Sequence, residues 1–331
     1  LTALIVQLIN GFRDTFRVIQ KEAVRWFPGH MNRGVRQMQR QLKNVDCIIE
    51  VHDARVPMSG HYADFSKTIT GLKPHIFVLN KTDLTDMSFK RSITEKLKGS
   101  GVSEVLFTNF TSNKCKGTKR LLPLVIDLIR NSDRFNRVEE RSYSIMIIGV
   151  PNVGKSSLIN RLRNTHLKTS NAAAVGGIAG ITRSVSSPIK ISQQPLVYVL
   201  DTPGILAPTI HDTESGLKLA LVGCLQDHLV GPQLLADYLL FWLNKHQRFE
   251  YVAKLGLPEP NDNILLVLSY IAAKQKMYFQ IKNYDGQRVT RPNLDLAGTY
   301  FINNFRKGEY GLYCLDQKNH ASELPLEFYG T

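Results

Sequence analysis

Gly149 to Ser156 carries the pattern Gly-x4-Gly-Lys-Ser between a strand-like apolar run and a helical pattern expected to begin near Ser157. Glycines at such a turn let backbone N–H groups close around a phosphate, and the helix N-terminus adds partial positive charge. Lys155 is expected to reach the β- and γ-phosphates of a nucleotide, and the hydroxyl of Ser156 to bind Mg²⁺. A purely structural glycine turn is the alternative, and the strand–loop–helix context argues against it. Further nucleotide contacts are expected from Asn152, Val153, Gly154 and Ser157.

Asn80-Lys81-Thr82-Asp83 follows another apolar run, Ile76–Leu79. The Asp83 carboxylate can accept hydrogen bonds from N1–H and the 2-amino group of guanine, which adenine cannot match. Alone, the tetrapeptide also fits a surface loop, but together with the phosphate loop it predicts GTP rather than ATP. Thr108-Asn109 ends a third apolar run, where a backbone N–H would lie near guanine O6; an ordinary strand end fits equally well.

Asp201-Thr202-Pro203-Gly204 follows the apolar run Leu196–Leu200. Asp201 is expected to hold Mg²⁺ through water, and the Gly204 N–H to sense the γ-phosphate. Thr182, in a loop with three glycines, is the candidate for a second Mg²⁺ hydroxyl. A plain loop threonine is the alternative for that residue.

These motifs occur in a rotated order. The base-reading tetrapeptide precedes the phosphate loop, whereas an ordinary GTPase has them in the opposite order. Joining the old chain ends and opening new ones after Asp201–Gly204 explains the rotation. The chain that follows Gly204 is then attached directly to a segment that responds to the γ-phosphate.

Strand-like runs alternate with helical patterns in the first two thirds of the chain, which predicts an α/β fold with a parallel sheet between helices. Motifs at the ends of the strands agree with this, because ligands bind at the carboxyl edge of such sheets. Beyond residue 213 the patterns become mainly helical. The expected strands are Cys47–Val51, Ile76–Leu79, Val105–Phe107, Ile145–Ile148 and Leu196–Leu200, and the expected later helices are Leu217–Leu225, Gln233–Leu243 and Asn263–Gln275.

The net charge of +14 favours a polyanionic partner such as RNA, DNA or an anionic membrane, although a basic protein with scattered lysines is the alternative. Basic residues cluster without acids between Arg25 and Lys43 and between Lys155 and Lys190. The four cysteines form no Cys-x-x-Cys pair, which argues against zinc and against a disulfide framework. No apolar run is long enough to span a bilayer.

The chain resembles the circularly permuted GTPases of the YlqF/YawG family. The resemblance rests on Arg25–Met31, Val45–Arg55, Ile148–Asn160 and the Ala236–Phe249 region. It implies a P-loop GTPase domain over 25–213, a helical RNA- or ribosome-binding domain over 214–331, and GTP, GDP and Mg²⁺ as ligands. Residues 1–24 are an extension that fits a presequence remnant or an ordinary amphipathic helix.

The same resemblance makes His30 the candidate catalytic histidine, beside Lys155, Thr182 and Gly204, and makes Asn152 the candidate ligand for K⁺. His52 and Arg55 are expected to be structural or to face RNA. Ile205 stands where many GTPases carry a water-orienting glutamine, so intrinsic hydrolysis is expected to be slow.

The implied partners are the large ribosomal subunit and its rRNA. The mitochondrial branch of the family further implies the matrix, with peripheral association at the matrix side of the inner membrane, no transmembrane segment, and a monomer off the ribosome. Two other functions are weighed: an ATP-using P-loop enzyme, against which Asp83 argues, and a non-hydrolysing rRNA-binding scaffold, against which the intact Lys155, Ser156, Thr182 and Asp201 argue.

Overall fold

The computed structural model describes residues 11–17, 38–61, 73–134, 137–168, 188–202, 213–282 and 284–317. Its centre is a six-stranded sheet with the order β3-β2-β1-β4-β6-β5. All neighbours are parallel except β5 and β6. The strands are β1 (Cys47–Asp53), β2 (His75–Asn80), β3 (Glu104–Phe107), β4 (Tyr143–Ile148), β5 (Ile189–Gln193) and β6 (Leu196–Asp201).

The five strands expected from the sequence are confirmed, and β5 was missed. The inner strands are apolar on both faces because helices cover both sides of a parallel sheet. β5 carries Lys190 and Gln193, lies at the edge, and contains an irregularity between Lys190 and Ser192. Its short, mixed sequence lacks the continuous apolar run that marks the inner strands.

In this half of the molecule the structure describes the helices α1 (Lys90–Gly99), α2 (Lys116–Arg130) and α3 (Lys155–His166) in full. The apolar side of α2, including Leu121 and Val125, joins the main core. Helix α3 begins at Lys155 rather than near Ser157, so the last residues of the phosphate-loop motif are already helical.

The later part of the described chain is mainly helical, as expected. Its helices are α4 (Thr213–Leu221), α5 (Asp227–Val230), α6 (Pro232–Lys245), α7 (Glu250–Leu255), α8 (Ile264–Lys274) and α9 (Leu294–Arg306). An antiparallel hairpin, β7 (Tyr278–Lys282) and β8 (Arg288–Pro292), was not foreseen. Most of its residues are exposed, so it lacks the strict polar and apolar alternation that predicts a half-buried strand. No helix within the described ranges is long and apolar enough to cross a bilayer.

The last residues that the structure describes return to the sheet. Leu315 N–H donates to the Arg55 carbonyl at 2.7 Å, and the Asp316 carboxylate accepts from the N–H groups of Met58 and Ser59 at 2.8 Å each. One apolar core runs from the sheet into the helices and includes the fully buried Trp242. The helical part is therefore packed against the loop that follows β1.

Candidate functional site

The phosphate loop joins β4 to α3, and close contacts with backbone at Gly149 and with a side chain at Gly154 require its two glycines. Gly149 has φ 141°, and a Cβ there would lie 2.1 Å from the Val51 carbonyl oxygen. Gly154 has φ 107°, and a Cβ there would lie 2.5 Å from Asn80 Nδ2. Asn152 adopts a left-handed φ of 59°, a conformation that asparagine tolerates better than most residues. The loop is thus pressed against β1 on one side and the base-reading motif on the other.

The two side chains expected at Mg²⁺ meet at the ends of neighbouring elements. Ser156 Oγ, in the first turn of α3, donates to Asp201 Oδ2, at the end of β6, at 3.4 Å. Asp201 Oδ1 is buried and has no hydrogen-bond partner among the described residues. A hydroxyl beside a carboxylate with an unsatisfied oxygen is a donor set that suits Mg²⁺ and its waters.

Lys155 folds back over its own loop. Its Nζ donates to the carbonyls of Gly149 at 3.1 Å and Val150 at 2.9 Å, and the residue is buried. Burial lowers the pKa of Lys155 to about 8, against the opposing pull of Asp201. Burial also raises the pKa of Asp201, although Lys155 and Ser156 counter it. An anion with a divalent cation placed here would satisfy both groups.

The base-reading tetrapeptide is bound to the phosphate loop. Asn80 Nδ2 donates to the Val153 carbonyl at 2.7 Å, and Asn80 Oδ1 accepts from Phe110 N–H at 3.2 Å. Asn80 therefore connects two loops and is 4% exposed. Asp83 is exposed in the short 3-10 turn Thr82–Leu84, so its carboxylate is accessible to a base.

Lys81 takes a left-handed φ of 63°. Its Nζ lies 2.9 Å from Asp53 Oδ2, at the end of β1. A positive φ on a non-glycine residue is a local strain that the surrounding contacts must hold. The ion pair with Asp53 is such a contact, and it sets the direction in which the tetrapeptide leaves β2.

The third loop, after β3, has a mixed outcome. Thr108 is fully buried, and its backbone bonds to Leu79 and Thr82, so the structure places it as a support for the base-reading turn. Asn109 N–H donates to Cys115 Sγ at 3.2 Å, while its side chain accepts from Thr111 N–H and Oγ. Both of its polar groups are thus engaged within the loop, and its contact with guanine stays a prediction.

A buried ion pair behind the site was missed from the sequence. Arg55 Nη2 lies 2.7 Å from Asp53 Oδ2, and both residues are almost fully buried. Burial would raise the pKa of Asp53, but Arg55 and Lys81 hold it well below its ordinary value. Arg55 also donates to the Val222 carbonyl at 3.4 Å. Of the two alternatives for His52 and Arg55, the structural role agrees with their burial, and a surface facing RNA does not.

The phosphate loop also contacts the helical part. Asn152 Nδ2 donates to the Gly223 carbonyl at 2.8 Å, just after α4 ends. Arg306, near the end of α9, donates to the carbonyls of Ala220 and Leu221 and forms an ion pair with Asp227 at 2.6 Å. The segment after α4 is therefore held between the nucleotide loop and α9. Four residues invoked for catalysis, His30, Thr182, Gly204 and Ile205, lie outside the described residues.

Comparison with known proteins agrees with this geometry. Residues 144–277 match the family model described as "50S ribosome-binding GTPase". The chain is 52% identical to "Mitochondrial GTPase 1" of Aedes aegypti, over 93% of this chain and 98% of that protein. It is 48% identical to "Mitochondrial ribosome-associated GTPase 1" of Mus musculus, over 93% of this chain and 94% of that protein.

Among solved structures, the fold resembles the crystal structure of GNP-bound YlqF from T. maritima, with a TM-score of 0.54 and 23% identity. The match covers 85% of this chain and 97% of that one. Three observations point to the same family. They are the rotated motif order, the strand-end loops that meet at one edge of the sheet, and relatives that match this chain over nearly their whole length. The chain belongs to the family of circularly permuted GTPases and is a GTPase.

Proposed function

We propose that this GTPase is an assembly factor for the large subunit of the mitochondrial ribosome, acting in the matrix with rRNA-stimulated hydrolysis. The observation that carries the proposal is the intact meeting of Ser156 and Asp201 beside the phosphate loop, in a chain 48% identical to a mitochondrial ribosome-associated GTPase. The intact pair argues against a scaffold whose nucleotide site is vestigial. The exposed Asp83 carboxylate favours guanine over adenine.

The proposed nucleotide site uses GTP or GDP with Mg²⁺. Ser156, Asp201 and Thr182 would bind the metal, and Asp201 Oδ1 would supply the acceptor that metal-bound water needs. Mg²⁺ would neutralise charge that develops on the phosphate oxygens. Asn152, within the phosphate loop, is the proposed K⁺ ligand, as the family resemblance implies. The remaining contacts are proposed for Asn80, Lys81, Asp83, Thr108, Asn109, Val153, Gly154, Lys155, Ser157 and Gly204.

An RNA partner is supported by the exposed hairpin β7–β8. Tyr278 and Phe279 expose 49% and 43% of their surface, and Tyr284 in the turn is fully exposed. Arg288 and Arg291 are exposed on the neighbouring strand. Aromatic rings beside cations suit stacked bases and phosphates. We therefore assign rRNA contact to the helical domain, residues 214–331, which follows the GTPase domain at 25–213. We propose a second rRNA contact through Arg40 and Lys43. Off the ribosome we expect a monomer that contacts the inner membrane peripherally.

GTP turnover measured with and without large ribosomal subunits, in K⁺ and in Na⁺, tests the proposal. We expect slow basal turnover because Ile205 has no side-chain hydrogen bond to offer to water. Subunits should stimulate it at least tenfold, and more strongly in K⁺. Equal turnover with and without subunits would refute the assembly-linked reaction, and equal rates in both salts would remove K⁺.

Asp83→Asn tests whether the Asp83 carboxylate recognises the guanine base. An amide can donate to O2 of xanthine but repels the 2-amino group of guanine. We expect the variant to lose about 1–3 kcal/mol of GDP binding and to regain subunit-stimulated turnover with XTP. Unchanged GDP affinity in this variant would show that Asp83 does not read the base.

His30→Ala separates catalysis from docking. If His30 acts on the attacking water, the variant binds nucleotide and subunits normally but hydrolyses GTP more slowly in their presence. Loss of subunit binding together with turnover would make His30 a docking residue, and normal stimulated turnover would remove it from the reaction.

A further inference from the structure

A buried acidic side chain lies on β1, on the face of the sheet that α1 covers. Glu50 is 6% exposed, and His52 follows it two residues later on the same face, as the period of a strand requires. His75, at the start of β2, shares that face because Phe77 is the cross-strand partner of Glu50. Three groups that bind metals therefore face one side of two paired strands.

A third histidine reaches the same face from the loop after β1. His61 Nδ1 lies 3.7 Å from Glu50 Oε1, and its side chain is 4% exposed. The ring stands edge-on to Phe77 at 5.0 Å, while the His52 ring stacks on Phe77 at 4.5 Å. The aromatic ring thus fixes the orientation of both imidazoles.

The ring nitrogens gather around the carboxylate, but most of them lack aligned hydrogen bonds. His52 Nε2 lies 2.7 Å from Glu50 Oε1, and His75 Nε2 lies 3.0 Å from Oε2. His61 Nδ1 and His75 Nε2 are nevertheless buried without a hydrogen-bond partner among the described residues. Buried polar atoms in this condition are uncommon and call for an explanation.

We propose that Glu50, His52 and His61 bind a divalent transition-metal ion, with Zn²⁺ the best fit. One ligand atom from each lies within 4.8 Å of the others. Ligand atoms around tetrahedral zinc sit about 3.3 Å apart, so small side-chain rotations suffice. Two imidazoles and one carboxylate suit zinc better than Mg²⁺, which prefers oxygen ligands and water. The absence of paired cysteines does not bear on this donor set.

Side chains around Glu50 and His61 already fix the orientation of these two proposed ligands. His61 Nε2 lies 3.5 Å from Ser100 Oγ, which leaves Nδ1 directed at Glu50. His75 flanks the second carboxylate oxygen, where it can orient Glu50 or complete the coordination. Partners of this kind fix the ring orientation of ligating histidines.

The ion would have a structural consequence. It would tie the loop that carries His61 to the sheet, and this loop holds Asp316 through the N–H groups of Met58 and Ser59. Glu50 and His52 lie on the opposite face of β1 from Asp53, whose carboxylate pairs with Lys81 of the base-reading motif. We assign it a structural role, independent of GTP hydrolysis.

Zinc binding by the untagged full-length chain tests the site. The chain is stripped with a chelator, mixed with Zn²⁺ in Mg²⁺-free buffer, desalted and analysed for metal content. We expect each chain to retain about one Zn²⁺, bound at this site. We also expect zinc to raise the midpoint of thermal unfolding, because a ligand that binds only the folded state stabilises it. A chain that retains no zinc overturns the proposal.

Glu50→Gln and His61→Gln should each lower zinc occupancy at least tenfold and abolish the thermal shift. His228→Gln, at an exposed histidine, and Cys115→Ser are the matched controls and should keep full occupancy. Undiminished zinc in both ligand variants, or loss in either control, overturns the assignment. Should the ligand variants fail to fold, X-ray absorption of the zinc-loaded natural chain decides, since only nitrogen and oxygen neighbours are allowed and a sulfur neighbour refutes the site.

Discussion

At the scale of single residues, the site depends on contacts that a motif does not display. Asn80 is part of the base-reading tetrapeptide, but its amide connects Val153 of the phosphate loop to Phe110 of the third loop. Removing either end of that connection separates the part that reads the base from the part that holds the phosphates. Positioning is a large share of catalysis by this class of enzyme, because there is little covalent chemistry for the protein to perform.

Gly154→Ala tests this connection. The new Cβ would lie 2.5 Å from Asn80 Nδ2, and the residue has φ 107°. We expect GDP affinity to fall at least tenfold because the phosphate loop must move away from Asn80. Gly101→Ala is the matched control, since Gly101 has φ 97° and nothing within 4 Å of the added carbon. Isothermal titration measures the GDP affinity of both variants, and an unchanged affinity in Gly154→Ala or an equal loss in Gly101→Ala would contradict the role of the contact.

At the scale of elements, the contacts of Asn152 and Arg306 with residues 220–223 link the phosphate loop to α9 through the end of α4; we call this set of contacts the clamp. Gly223 accepts from Asn152, and Arg306 holds the carbonyls just before it. A movement of the phosphate loop would therefore act on residues 220–223, which Arg306 of α9 also holds. Two arrangements of such a segment, one favoured by each nucleotide, would couple loss of the γ-phosphate to the orientation of the helical part, which we propose binds the ribosome.

Arg306→Ala should weaken that clamp. The side chain is 21% exposed and makes charge-assisted bonds to Asp227 and to two carbonyls, so we expect unfolding free energy to fall by about 2–3 kcal/mol. Arg91→Ala removes a pair whose partners are 92% and 65% exposed, and should change stability by less than about 0.5 kcal/mol. Urea unfolding gives both values. The ratio of subunit affinities with a GTP analogue and with GDP should also move toward one, and an unchanged ratio would show that the clamp carries no signal.

At the scale of the whole molecule, the net charge of +14 would favour association with the rRNA that we propose as partner. Binding to large subunits should fall steeply between about 50 and 200 mM salt, because cations on the protein release counterions from phosphate groups. Sedimentation at several salt concentrations measures the slope. GDP affinity over the same range is the control, and an association that ignores salt would contradict the electrostatic account.

Much of the fold and the site could be foreseen from particular residues. The Gly-x4-Gly-Lys-Ser and Asn-Lys-x-Asp motifs predicted the nucleotide because their spacing matches a phosphate loop and a guanine reader, and their rotated order predicted the permutation. Apolar runs predicted five of the six strands of the sheet, because strands covered on both faces are continuously hydrophobic and edge strand β3 also has an apolar sequence. Edge strand β5 and hairpin β7–β8 escaped prediction because their sequences show neither a continuous apolar run nor a strict polar and apolar alternation.

Only the tertiary structure decided which side chains meet across the chain. No local pattern shows that Asp53, Arg55 and Lys81 form one buried network, or that Asn152 contacts Gly223, because these pairs depend on the packing of separate elements. Likewise, Glu50 belongs to β1 and His61 to the loop after it, and no local sequence pattern indicates that the two side chains meet. Sequence determined the chemistry available at each strand end, through residue type and period. The fold decided which of those groups share a site, since desolvation and distance act only after the elements have packed.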